Sequence, residues 1–369
     1  MKGVCTIDLP SFATLAEREA ERVIATGLFP GAILCCGTRE GGMAYTKAIG
    51  LAQLEPCPKA MGEDAIFDVA SITKAVATAS AAAICWSEGL LDPEKPLPHY
   101  LPEMRAPGTE NIKIRHLATH YSGFDNSKYD HKFADGDILS AISSATPVRK
   151  PETKHEYACL NIILLGLIIE KISGTPLAEF CTKNIFEPLG MKDTAFGPLK
   201  DNLDRVVPSQ VAAGTISDEQ ARAAVRPIGN AGLFSTAHDL AIFAEMMLNG
   251  GMRGGLRALP EKAVSFLSRP WTKAPFAKHA FVWNMQEVKN NASHRPDNLS
   301  DDAYGHGGFT GQSLWIDPKK GIYTIVMSNW THPRLDYGKK YIPANLARAR
   351  LGELLIDALN NQRLRKQDC

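Results

Sequence analysis

Along residues 12–27 apolar side chains recur at helical spacing and stop at Gly27, which predicts an amphipathic helix closed by a glycine. In the next run, FPGAILCCGTREGGMAYTKAIGLA, apolar β-rich stretches flank the turn residues 39–42, so strand, turn and strand follow the helix. Residues 72–90 are rich in Ala and apolar all round, the pattern of a buried helix. From about 91 to 252, Pro-bounded loops alternate with helical stretches, among them residues 161–172 and 237–248. Apolar runs at 280–285 and 313–316 read as strands, and DPKKG turns the chain into another at 322–328. A last amphipathic helix is predicted over 344–359, ahead of a charged tail. Helix and strands at both ends with helices between predict an α+β fold. An antiparallel sheet is built from the terminal segments (1–90 plus 253–369), with a mainly helical domain (91–252) inserted. A small-molecule cleft is expected where the two parts meet.

Composition narrows the function. The chain has 369 residues, 44% hydrophobic and 22% charged, which excludes disordered and fibrous classes. Forty-one Lys plus Arg oppose 40 Asp plus Glu, so there is no electrostatic footprint for nucleic acid or anionic lipid. The most apolar stretches, 75–85 and 162–169, fall short of the roughly 18 to 20 residues of a membrane span. The opening MKGVCTIDLPSF lacks the apolar run and cleavage site of a secretory signal, so the expected location is cytoplasmic, or periplasmic if a leader has been trimmed. The eight cysteines form no CxxC pair and no metal-type spacing, so reduced thiols and no cofactor are expected. Cys35 and Cys36, adjacent in a strand, should face opposite sides.

The GxSxG, GxxxxGK[ST], GxGxxG and HExxH patterns do not occur. SITK does, at residues 71–74, directly after the strand-like IFDVA and at the mouth of the buried helix. Serine and lysine three apart share one helical face, and only Ser71 among the serines has Lys at the third position. The helix N-terminus favours an anionic intermediate, and burial that lowers the lysine pKa would let a neutral Lys74 amine take the hydroxyl proton. Ser71 is therefore the candidate nucleophile and Lys74 its activator. In EYACLNIILLG, Tyr157 precedes a helix, from which a phenol can share the Lys74 proton and pass it to a leaving group. In YGHGGFTGQSLWIDP, His306 and Gly308 precede a strand. Glycine allows a substrate to approach closely, and the Phe309 N–H can complete an oxyanion hole with that of Ser71.

In that order these segments resemble the penicillin-recognising serine hydrolases: class C β-lactamases, D-alanyl-D-alanine carboxypeptidases and related esterases. FPGAIL, IKIRHLATHYSGF, IFEPLGMKDTAF, GNAGLFSTAHDLAIFAEMMLNGG and GFTGQSLWIDP extend the similarity over about residues 12 to 333. The resemblance implies that Ser71 forms an acyl-enzyme while Lys74 and Tyr157 exchange the proton. His306 would then stand where the family carries a lysine, tuning the tyrosine and meeting a substrate carboxylate. The substrate implied is a small ester, amide or β-lactam.

One departure is Cys159, where the family's second motif has asparagine. A thiol is a weak donor and acceptor, so efficient β-lactam turnover is in doubt. Cys159 as a small buried thiol outweighs Cys159 as a nucleophile, since no histidine is placed by motif to activate it. A second is Tyr121, whose bulk would narrow the acyl pocket. The sequence thus favours an esterase or D-amino-acid peptidase, with β-lactamase action and a non-catalytic scaffold as rivals.

Overall fold

The computed structural model describes residues 10–126, 137–286 and 293–367. Its centre is a six-stranded antiparallel sheet that joins the two ends of the chain. The strand order is Tyr304–Gly307, Gln312–Asp317, Ile322–Ser328, Gly31–Thr38, Gly42–Gln53 and Lys59–Ala60. Closure comes from the pairing of Gly31–Thr38 with Ile322–Ser328, in register Ala32↔Ser328 and Ile33↔Met327. Alternation along the first strand divides the core. Ala32, Leu34 and Cys36 pack with Leu351, Leu355 and Ile356 under the terminal helices Pro10–Ala25 and Tyr337–Gln367. Ile33 and Cys35 join the larger core on the other face. The adjacent cysteines therefore do part to opposite faces, and both are free thiols.

Helix Ala237–Leu248, which falls in the middle of the chain by sequence, packs on that second face of the sheet: its Glu245 accepts the Tyr323 hydroxyl at 3.0 Å. The remaining helices centre on Cys159–Ser173, buried continuously from Leu160 to Ile169, as an all-round apolar helix must be. It packs against the segment that follows Ser71, which is π-helical over Lys74–Ala79 and α-helical over Ser80–Ser87. A small second sheet, ordered Ala195–Phe196, Leu233–Ser235, Ile66–Asp68 and Val206–Val207, aims the chain at Ser71.

Two sequence expectations are corrected here. Residues 280–285 do not form a strand. Ala280 N–H donates to Trp283 O at 2.9 Å across a turn with Val282 at φ 72°, and only Asn284 bridges to the edge strand at Gly305. Phe281, Val282 and Trp283 are all fully buried, so their unbroken apolarity comes from a turn sunk in the core rather than from two strand faces. The last helix begins at Tyr337 rather than near 344 and runs through Pro343. No single helix among the described residues is long and apolar enough to cross a membrane.

Candidate active site

Ser71 sits on a strained turn. Ala70 just before it has φ 44°, a left-handed conformation that an alanine adopts only when its surroundings insist. They do so through Asp68, 4% exposed, whose carboxylate accepts the Ala70 N–H at 2.9 Å and the Ser217 N–H at 2.7 Å. Thr73 adds a second clamp, donating to Ala70 O at 2.6 Å and accepting from Leu233 N at 3.0 Å. The Ser71 Oγ so fixed lies 2.8 Å from Lys74 Nζ and 2.8 Å from the Tyr157 hydroxyl. Three groups from two distant segments thus meet at one oxygen.

Lys74 is fully buried and donates also to Asn230 O at 2.6 Å. Glycine makes that contact possible: a Cβ on Gly229 would stand 2.3 Å from Ile162 O, so only glycine lets this loop lie against the central helix. The Asn230 side chain donates to Asp218 at 3.2 Å. Burial pulls the Lys74 ammonium down, but Cys159, Tyr157 and Asp218 push it up by more, and its pKa lies above the ordinary lysine value. Burial pushes the Tyr157 phenol up, with Lys74 pulling it back. Tyr157 is 37% exposed to the cleft, so water moderates that push. The Lys74 shift thus runs opposite to the lowering expected from burial alone. Burial is the largest single effect on Lys74, yet its neighbours outweigh it.

The third segment is stitched to the first. Thr310 Oγ1 donates to Asp68 O at 2.8 Å, and a Cβ on Gly308 would lie 2.5 Å from Val69 O. The glycine therefore admits the protein's own Ser71 turn rather than a substrate. This seam brings the Phe309 amide to the Ser71 side of the cleft. Neither the Ser71 nor the Phe309 amide donates to a protein acceptor among the described residues. Two free N–H groups beside a nucleophilic oxygen can receive a developing oxyanion.

His306 lies on the edge strand, 3% exposed, and burial pushes its pKa down to about 3. Its Nδ1 is 2.9 Å from Gly307 O, a group that only accepts, so the proton is on Nδ1 and Nε2 carries a lone pair. That Nε2 has no partner among the described residues. A neutral ring on that tautomer offers an acceptor at Nε2 and no positive charge.

A cavity of about 410 Å³ opens over Ser71, lined by Tyr157, Cys159, His306, Gly308 and Phe309 together with Asp218, His155, His279, Asn345 and Arg348. Cys159 is half-buried and faces this cavity, in contrast to the small buried thiol expected. Its N–H donates to Asn126 Oδ1 at 2.9 Å, while Asn126 Nδ2 donates to Tyr157 O at 3.1 Å. Tyr121 is 4% exposed and does not line the cavity. It packs behind His155, ring centroids 5.4 Å apart, so it does not narrow the pocket directly. Sequence reasoning missed Asn230, Asp218, Arg348 and the histidines at 120, 155 and 279. The signal for His120 lay in ATHYSGF, beside Tyr121. No group of three or more His, Cys, Asp or Glu among the described residues is arranged to hold a metal.

Comparison with known proteins agrees with this fold. The profile of the β-lactamase family matches residues 17–347. An N-acetylmuramyl-L-alanine amidase of Bacillus subtilis (strain 168) is 28% identical over 360 residues, 86% of this chain and 80% of the relative. A Salmonella agona (strain SL483) protein named for D-alanyl-D-alanine carboxypeptidase activity is 29% identical, covering 78% of this chain and 74% of its own. A solved class C β-lactamase, 16% identical, superposes with a TM-score of 0.75 over 96% of this chain and 98% of its own. The chain therefore belongs to the β-lactamase family, whose members include β-lactamases, carboxypeptidases and esterases.

Proposed function

We propose that the protein is a serine acyl hydrolase that cleaves small esters or amides through an acyl-enzyme on Ser71. The observation that carries this reading is the meeting of Lys74 Nζ and the Tyr157 hydroxyl at Ser71 Oγ, each at 2.8 Å. In the reactive state the Lys74–Tyr157 pair has lost one proton. Ser71 Oγ attacks the carbonyl carbon, its proton passes to the pair, and the oxyanion rests on the Ser71 and Phe309 amides. As the C–O or C–N bond breaks, the pair returns that proton to the leaving group. Water then attacks the acyl-enzyme, gives its proton to the pair, and Ser71 regains it on release.

Among substrates, an ester or a peptide ending in a D-amino acid is favoured over a β-lactam. Cys159 cannot supply the two-way hydrogen bonds of an amide. The cavity wall carries Arg348, 2% exposed, held by Gly308 O at 3.0 Å and by Asn345, and its charge suits a carboxylate at the end of the substrate. The name of one relative, a D-alanyl-D-alanine carboxypeptidase, points the same way.

The test is to treat the protein with a fluorophosphonate, record its intact mass and follow p-nitrophenyl ester hydrolysis. One adduct on Ser71, lost together with hydrolysis in Ser71→Ala, is the expected result. Undiminished hydrolysis by Ser71→Ala would overturn the reading, and no adduct with no hydrolysis would favour the non-catalytic scaffold.

A further inference from the structure

Tyr157 lies two residues before the central helix, in a segment without regular structure, yet its hydroxyl is held at 2.8 Å from Ser71 Oγ. One residue grips this segment at three consecutive positions. His120 O accepts the Glu156 N–H at 2.9 Å, and His120 Nδ1 accepts the Ala158 N–H at 3.3 Å. Between them the imidazole lies over the Tyr157 ring, centroids 4.6 Å apart and planes at 32°. A backbone N–H can only donate, so Nδ1 is the acceptor and the His120 proton resides on Nε2. Asn161 fixes that tautomer, its Nδ2 reaching Nδ1 at 3.1 Å while its Oδ1 accepts the Ser122 hydroxyl at 2.6 Å. His120 is 1% exposed, and its φ of 57° is uncommon for any residue with a side chain. The turn maintains that conformation where an ordinary one would carry the ring away from Tyr157.

We infer that His120 is a positioning residue for Tyr157, its neutral Nε2–H imidazole clamping residues 156 to 158 so that the phenol stays on Ser71 and beside Lys74. This rests on the acyl-hydrolase reading above. Lys74, Cys159 and His306 surround the phenol, and the His155 and His279 rings each lie 6.0 Å from that of His120. Burial holds His120, His155 and His279 neutral, so Lys74 is the cation that keeps the phenol from rising further. A phenol that swings away loses this pull.

The experiment is a pH–rate profile of ester hydrolysis, with active sites counted by fluorophosphonate, for wild type, His120→Asn and His120→Phe. Asparagine places an oxygen acceptor where Nδ1 stands and tolerates positive φ, so it removes only the ring. It is expected to lower kcat about tenfold per active site, to leave KM within about twofold and to move the alkaline limb up by about half a pH unit or more. An unmoved limb, or a loss explained by fewer active sites, would overturn the inference. His120→Phe removes the Nδ1 acceptor that holds the Ala158 N–H and does not tolerate the positive φ as asparagine does, so its limb is expected to move up as well. It decides the matter if the asparagine variant lacks a native melting transition, and an unmoved limb in the phenylalanine variant would also overturn the clamp. Should Tyr157→Phe itself leave the rate unchanged, the acyl-hydrolase mechanism fails rather than the clamp.

Discussion

The two sides of the reacting oxygen are built differently. On the lysine side the amine is buried and its partner hydroxyl is local: Ser71 and Lys74 are one helical turn apart, and a glycine contact seals the amine against Asn230 O. On the tyrosine side the phenol is 37% exposed and comes from a segment without regular structure, held through His120 and Asn126. A group that can reach its place from its own helix needs only a sequence spacing. A group delivered by a loop needs anchors from elsewhere in the fold.

The sharpest way to break this comparison is to remove each partner. Tyr157→Phe is expected to cut kcat by about 10² or more, because the returning proton loses its carrier. The wild-type rate should climb from neutral into alkaline pH, since both members of the pair are shifted upward and the reactive form must lose a proton. Measured profiles that fall over that range would contradict the pair as the base.

Next in size is Gly308→Ala. Its Cβ would strike Val69 O, so the seam must open and carry the Phe309 amide away from Ser71. A loss of about 10- to 100-fold in kcat/KM is expected, approaching that of a single oxyanion donor. Unchanged kinetics in a folded variant would remove that amide from the site. A smaller effect is expected of Cys159→Asn, which restores an amide facing the cavity and should raise β-lactam hydrolysis severalfold. A cephalosporin assay showing no gain would mean that another feature sets substrate choice.

The smallest effect concerns stability in acid. Burial pushes His116 and His279 down to about 4 and His294 and His306 down to about 3. Below about pH 6.5 the unfolded chain binds protons that these folded histidines refuse, so their stabilisation is complete above that pH and is lost as pH falls toward 4. Each contributes up to about 1.4 kcal/mol per pH unit in that window. Urea titrations at pH 7 and 5.5 should show the drop, and equal stability would mean that these rings are protonated in the folded state.

What the sequence made legible follows the same division. SITK, Tyr157 and HGG were readable because spacing and order carry them, and the strands of the closed sheet because their apolar runs alternate or are bounded by turns. Illegible were contacts whose meaning depends on distant backbone: Asn230, known only by the carbonyl it offers Lys74, and His120, whose role lies in two backbone amides and a ring face. The upward direction of the Lys74 shift was illegible for the same reason, since the neighbours that outweigh burial come from other segments.

The central claim is that Ser71 carries the acyl group, and the most direct measurement is acid quenching during ester turnover, followed by peptide mass mapping. The acyl mass should reside on the peptide containing Ser71 and vanish in Ser71→Ala. An acyl group found instead on Cys159, or turnover with no acylated peptide under conditions that trap one, would contradict it.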